Sequence, residues 1–98
     1  MSEETINKIR KYFADKPVIK AYLFGSYARN EQDENSDVDI LVELDYSKKV
    51  GMEFIRMQIA LEDLLNKKVD LVSSGGLSKY IKPHIDNDKI LIYEKDVR

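Results

Sequence analysis

A chain of 98 residues with 16 basic and 18 acidic side chains, a net charge of −2 and no cysteine has room for a single sheet with helices on it, and residues 1–98 read as one domain. The charge balance gives no broad electrostatic footprint for nucleic acid, so no nucleic-acid partner is expected, and the missing cysteines exclude disulfides and thiolate metal sites. The N-terminus has no apolar signal core and no apolar run reaches membrane-spanning length, so a cytoplasmic protein without a membrane partner is expected.

Residues 2–14 predict an amphipathic helix, with Ser2 as its cap, Glu3 and Glu4 in the first turn, and Ile6, Ile9 and Phe13 on one side. Lys16-Pro17 ends it. The first strand, Val18 to Phe24, stops at Gly25, and Ser26 is placed to cap a short helix through Tyr27, Ala28 and Arg29. A helix start facing a ligand offers free N–H groups and the positive end of a dipole, both of which favour phosphate. Gly25 lets the chain approach closely. Arg29, one turn on, has two readings of equal weight: its guanidinium reaches a phosphate oxygen, or it pairs with Glu31 or Asp33.

A polar loop, Asn30 to Asn35, leads to the second strand, Asp37 to Leu44. Side chains at i and i+2 of a strand leave the same face about 6.6 to 6.8 Å apart at their Cα atoms, so the carboxylates of Asp37 and Asp39 converge on one hard cation such as Mg²⁺. Asp39 interrupts the run Val38-Asp39-Ile40-Leu41-Val42, where an acidic group suits neither strand propensity nor a buried face. Such a break in a local rule is expected at a functional site. Either a Gly-Ser turn or an Asp-x-Asp pair alone is ordinary loop chemistry; their combination is not.

Val50 to Asn66 predicts a second long helix from the recurrence of Phe54, Met57, Leu61, Leu64 and Leu65, with its methionines in the core. The third strand, Lys68 to Val72, repeats the acidic anomaly at Asp70. Ser73 to Gly76 is a linker, followed by helical turns from Leu77 to Asn87 in which Pro83 starts or kinks a turn. Ile90 to Tyr93 closes the sheet as an edge-like strand, and residues 94–98 are expected to fray. His84, the single histidine, and the pairs Lys48-Lys49 and Lys67-Lys68 read as solvated surface.

Gly25-Ser26, ten residues, then Asp37-x-Asp39, an apolar strand and Val69-Asp70-Leu71-Val72 together resemble the minimal nucleotidyltransferases of the DNA polymerase β-like superfamily, from about residue 18 to Tyr93. The family pattern often has Gly where Asn30 stands, and Asn tolerates the same turn conformations. The resemblance implies an α/β (α+β) fold with a small mixed sheet of about four strands. It implies catalytic and metal-binding carboxylates at Asp37, Asp39 and Asp70, a two-metal Mg²⁺ site, ATP as substrate, and nucleotide contacts at Gly25, Ser26 and Arg29. Asp70 matches the family's third carboxylate and also suits a general base.

Members of this type are often paired with a small helical HEPN-domain toxin. The chain is therefore similar to an antitoxin that transfers AMP to a hydroxyl, expected to be tyrosine, of such a partner. So short a chain leaves little room for an acceptor-binding domain, so the acceptor surface is expected in trans, from the toxin or from a second copy of the chain. Two other readings stand beside this one: a non-catalytic antitoxin that masks its partner, and a nucleotidyltransferase acting on a small aminoglycoside-like hydroxyl compound. Three carboxylates on one sheet face repel each other without a cation, which argues against the inert module.

Overall fold

The computed structural model describes residues 1–95. Helix α1, Glu3–Phe13, begins where expected: Ser2 is extended and its Oγ accepts a hydrogen bond from the Thr5 N–H at 3.2 Å. Strand β1 is Val18–Phe24, β2 is Val38–Leu44, α2 is Gly51–Leu65, β3 is Val69–Ser73, α3 is Lys82–Asp88 and β4 is Ile90–Glu94. The four strands form one mixed sheet in the order β3-β2-β1-β4. β1 runs antiparallel to both β2 and β4, and β2 and β3 are parallel. The expected α/β architecture with a four-stranded mixed sheet is the one observed, with β4 at an edge.

Alternation along the strands divides the sheet into two faces. The inner face presents Ala21, Leu23, Val38, Ile40, Val42, Leu44, Val69 and Leu71 to Ile9 and Phe13 of α1 and to Met57 and Leu61 of α2, all buried. This is the main core, and truncating a fully buried member such as Leu61 to Ala costs about 2–5 kcal/mol. The outer face carries Tyr22 and Phe24 of β1, Asp39, Leu41 and Glu43 of β2, and Asp70 and Val72 of β3. Directly paired residues share a face, and the register pairs Phe24 with Asp39, Asp39 with Asp70, Tyr22 with Leu41, and Leu41 with Val72. Leu41 and Ile85, the one buried residue of α3, are buried outside the main cluster.

Several expectations are corrected. Met52 is 62% exposed and Leu64 38%, because the stripe of α2 that meets the sheet runs through Phe54, Met57, Leu61 and Leu65. Regular helix after β3 begins only at Lys82, with Pro83 in the first turn where its missing N–H breaks no bond, while Leu77 is extended at ψ 134°. Ser73 belongs to β3, and Ser74–Gly76 is a 3₁₀ turn. Glu94 lies in β4 and the Lys95 N–H donates to Ile19 O at 2.8 Å, so fraying does not begin at 94; residues 96–98 lie outside the described residues. Among the described residues no helix is long and apolar enough to cross a membrane.

Candidate active site

The turn after β1 is built on Gly25. Its φ of +71° lies in the left-handed region, and a Cβ at this position would run into the Asp39 carboxylate, so both the conformation and the close approach require glycine. Gly25–Tyr27 form a 3₁₀ turn whose continuation is tied by Ala28 and Arg29 N–H groups donating to Gly25 O, each at 3.1 Å, and by Glu31 N–H donating to Ser26 O at 2.9 Å. Asn30 takes φ +58°, as its tolerance of turn conformations predicts.

Ser26 does not cap this turn. The left-handed Gly25 bends the chain one residue earlier than expected, so Ser26 lies inside the turn and the cap position falls to Phe24, which makes no side-chain cap bond. The first N–H groups of the turn still lack partners within it by construction. They lie at the end of β1, where Phe24 stands beside Asp39 in the ladder.

The three carboxylates gather around Asp39. Asp37 is exposed just before β2, Asp70 is exposed on β3 directly across from Asp39, and Asp39 itself is half-buried between β1 and β3. Burial pushes the Asp39 carboxyl above its ordinary value, the negative charges of Asp70 and Asp37 push it further, and the positive charge of Arg29 opposes them. Among the described residues none of the three carboxylates accepts a hydrogen bond or pairs with a cation in contact, whereas Asp33 and Asp88 nearby each have a partner.

This donor set fits Mg²⁺ in one respect and leaves it incomplete in another. The oxygens are hard, negatively charged and unpartnered, as that ion demands. No group of three His, Cys, Asp or Glu side chains close enough to cage an ion is assembled among the described residues. Mg²⁺ is commonly held by one or two carboxylates, several waters and substrate phosphates instead of an all-protein cage, so an open site suits it.

Arg29 resolves one of its readings. Its Nη1 donates to Asp88 Oδ2 at 2.7 Å and its Nε to Glu31 Oε2 at 3.3 Å. Asp33 is engaged elsewhere, accepting from Asn35 N–H at 2.8 Å. The expected pairing with Glu31 is therefore present, and Asp88, at the end of α3 and 59 residues away, was not foreseen because nothing local in the sequence marks it. His84, Lys48, Lys49, Lys67 and Lys68 are exposed, as expected.

Residues 7–98 match the family described as Polymerase beta, Nucleotidyltransferase. A candidate protein adenylyltransferase of Methanocaldococcus jannaschii is 42% identical over 92 residues, spanning 92% of this chain and 93% of the relative. Among solved structures, one described as a putative minimal nucleotidyltransferase is 32% identical with a TM-score of 0.74, covering 92% of this chain and 95% of the other. A toxin-antitoxin crystal structure with AMP-PNP is 27% identical with a TM-score of 0.78, covering 93% of this chain and 74% of the other.

Proposed function

Since this chain belongs to the Polymerase beta nucleotidyltransferase family, we propose that it transfers AMP from ATP to a tyrosine hydroxyl of a partner protein, as the cytoplasmic antitoxin of a HEPN-type toxin. The observation that carries this reading is the row Phe24, Asp39, Asp70, with Asp39 pressed against Gly25 at the foot of a turn of free N–H groups. A phosphate seat and acidic metal ligands meet at one strand end. The adenylyltransferase relative and the toxin-antitoxin neighbour with AMP-PNP support the reaction and the kind of partner.

The residues take the following roles. Asp37 and Asp39 would hold Mg²⁺ and Asp70 a second ion, and such ions offset charge on the triphosphate and on the pyrophosphate leaving group. The N–H groups of the Gly25–Tyr27 turn and the Ser26 hydroxyl hold the β- and γ-phosphates. Gly25 permits their approach. Arg29, within electrostatic reach of Asp39, adds positive charge at the same place. The acceptor oxygen attacks the α-phosphorus, the bond to the β-phosphate oxygen breaks, pyrophosphate leaves, and the hydroxyl proton passes to a carboxylate, a role that the exposure of Asp70 supports.

Isotope position tests the reaction class. With the partner present, label in the α-phosphate of ATP is expected on the partner and label in the γ-phosphate in released pyrophosphate. Label from the γ-phosphate on the partner would make the protein a kinase and overturn the reading.

A further inference from the structure

We propose that the cleft between the outer sheet face and α3 is the acceptor site, and that it takes the aromatic ring of the side chain whose hydroxyl is modified; this rests on the nucleotidyl-transfer reading above. Tyr22 and Leu41 form its floor, Ser74 and Leu77 one wall, and Lys82 and Lys89 of the α3 segment the other. The floor is a neighbouring pair in the ladder, one step along the outer face from the row Phe24, Asp39, Asp70. Two residues along a strand span about 6.6 to 6.8 Å. A ring lying over Tyr22 therefore has its far end beside the carboxylate row.

The direction of attack selects this side. Nucleophile and leaving group are roughly in line in phosphoryl-type transfer. With the β- and γ-phosphates on the Gly25–Tyr27 turn, pyrophosphate departs over the Gly25 end of β1, so the hydroxyl enters from the opposite side of Asp39. Tyr22 and Leu41 lie on that side.

Size and charge select the occupant. The cleft holds about 230 Å³, below the roughly 300–1,000 Å³ of pockets that take whole small-molecule ligands, which suits one side chain better than a nucleoside. Its cations are already matched: Asp86 lies 3.0 Å from Lys82 Nζ and 2.9 Å from Lys89 Nζ, so a second phosphate has little to gain there. Leu41 is almost fully covered, so the apolar surface open to an occupant comes from the partly exposed Tyr22 and Leu77. Lys89 Nζ stands 4.6 Å from the centroid of the Tyr22 ring, a contact that an incoming aromatic ring can share.

The test uses N-acetyl-tyrosinamide as probe and methyl signals of leucine as reporters. With Mg²⁺-ATP present, the probe should shift Leu41 and Leu77 while leaving Leu61, on the inner face, unmoved. Leu77→Trp, which fills the cleft from its wall, should lose those shifts and label the partner at least tenfold more slowly while keeping the parent's melting shift with Mg²⁺-ATP. Should Leu77→Trp fail to fold, Ser74→Phe is read in the same way. Shifts of Leu41 and Leu77 with Mg²⁺-ATP alone and none with the probe would give the cleft to the nucleotide and overturn the proposal. Unchanged labelling by the filled variant would overturn it too. If the unsubstituted protein puts no α-label on its partner, the nucleotidyl-transfer reading fails, and the probe shifts still decide whether the cleft binds an aromatic ring.

Discussion

Asp39 and Asp70 stand opposite each other across the parallel β2–β3 pair, on the face turned away from the main core. Parallel pairing in register brings two like charges together without any bend in either strand. Neither carboxylate has a hydrogen-bonding partner among the described residues, so only the positive charge of Arg29 opposes their repulsion until a cation or a proton arrives.

The pH dependence follows from that. Asp39 is raised above its ordinary 3.8 in the folded chain, first by burial and then by Asp70 and Asp37, so the native state binds its proton more tightly than the unfolded state. Stability from this group is full below the unfolded value and is lost as pH rises through the raised one. At neutral pH without metal, Asp39→Asn should melt higher. The site is half-buried and screened, so the expected rise is a few degrees, about 2–4 °C. A lower melting temperature at pH 7 together with a higher one at pH 3 would reverse the sign.

Gly25→Ala should destabilise by at least about 1–2 kcal/mol, the cost of a left-handed conformation for a residue with a Cβ. It should also weaken ATP binding, because the new methyl group displaces Asp39. Gly25→Val should do worse. Chemical denaturation measures the first effect and calorimetric titration with Mg²⁺-ATP the second.

Ser26→Ala separates a binding role from a structural one. A capping serine would be worth about 0.5–2 kcal/mol, but Ser26 lies inside the turn and makes no cap bond. Its replacement should change stability by less than about 0.5 kcal/mol, as at an ordinary surface site, while reducing nucleotide affinity. A loss of stability above 1 kcal/mol would restore the capping role.

Asp88→Asn removes the charge that holds Arg29 Nη1 at 2.7 Å. Arg29 is solvent-exposed and its ion pair is screened, so stability should change little. Freed from Asp88, Arg29 should bind the triphosphate more tightly, seen as a lower apparent Kd for Mg²⁺-ATP. Arg29→Ala should raise that Kd in either background.

Much of this molecule was legible in its sequence because its signals are local. The seven residues of β1, the Ser2 cap, the buried faces of β2 and β3 and the acidic anomalies at Asp39 and Asp70 all lie in runs short enough for period and propensity to reveal them. What stayed hidden depends on chain direction and tertiary packing. The capping role assigned to Ser26 failed because a positive φ at Gly25 shifts the start of the turn, and the sequence does not announce that sign. The second partner of Arg29, Asp88, lies 59 residues away, and the cleft over Tyr22 and Leu41 exists only once α3 is laid against the sheet.

The central claim is that Asp39 serves transfer of AMP to a partner protein. Its most direct test incubates the cognate toxin with Mg²⁺ and ATP labelled on the α-phosphate, using the parent and Asp39→Asn proteins at equal concentration. The account predicts label on a toxin tyrosine with the parent, none with Asp39→Asn, and neutralisation only where label appears. Equal neutralisation by both proteins with no label on the toxin would contradict it, since masking a surface depends on shape and apolar area and needs no nucleotide.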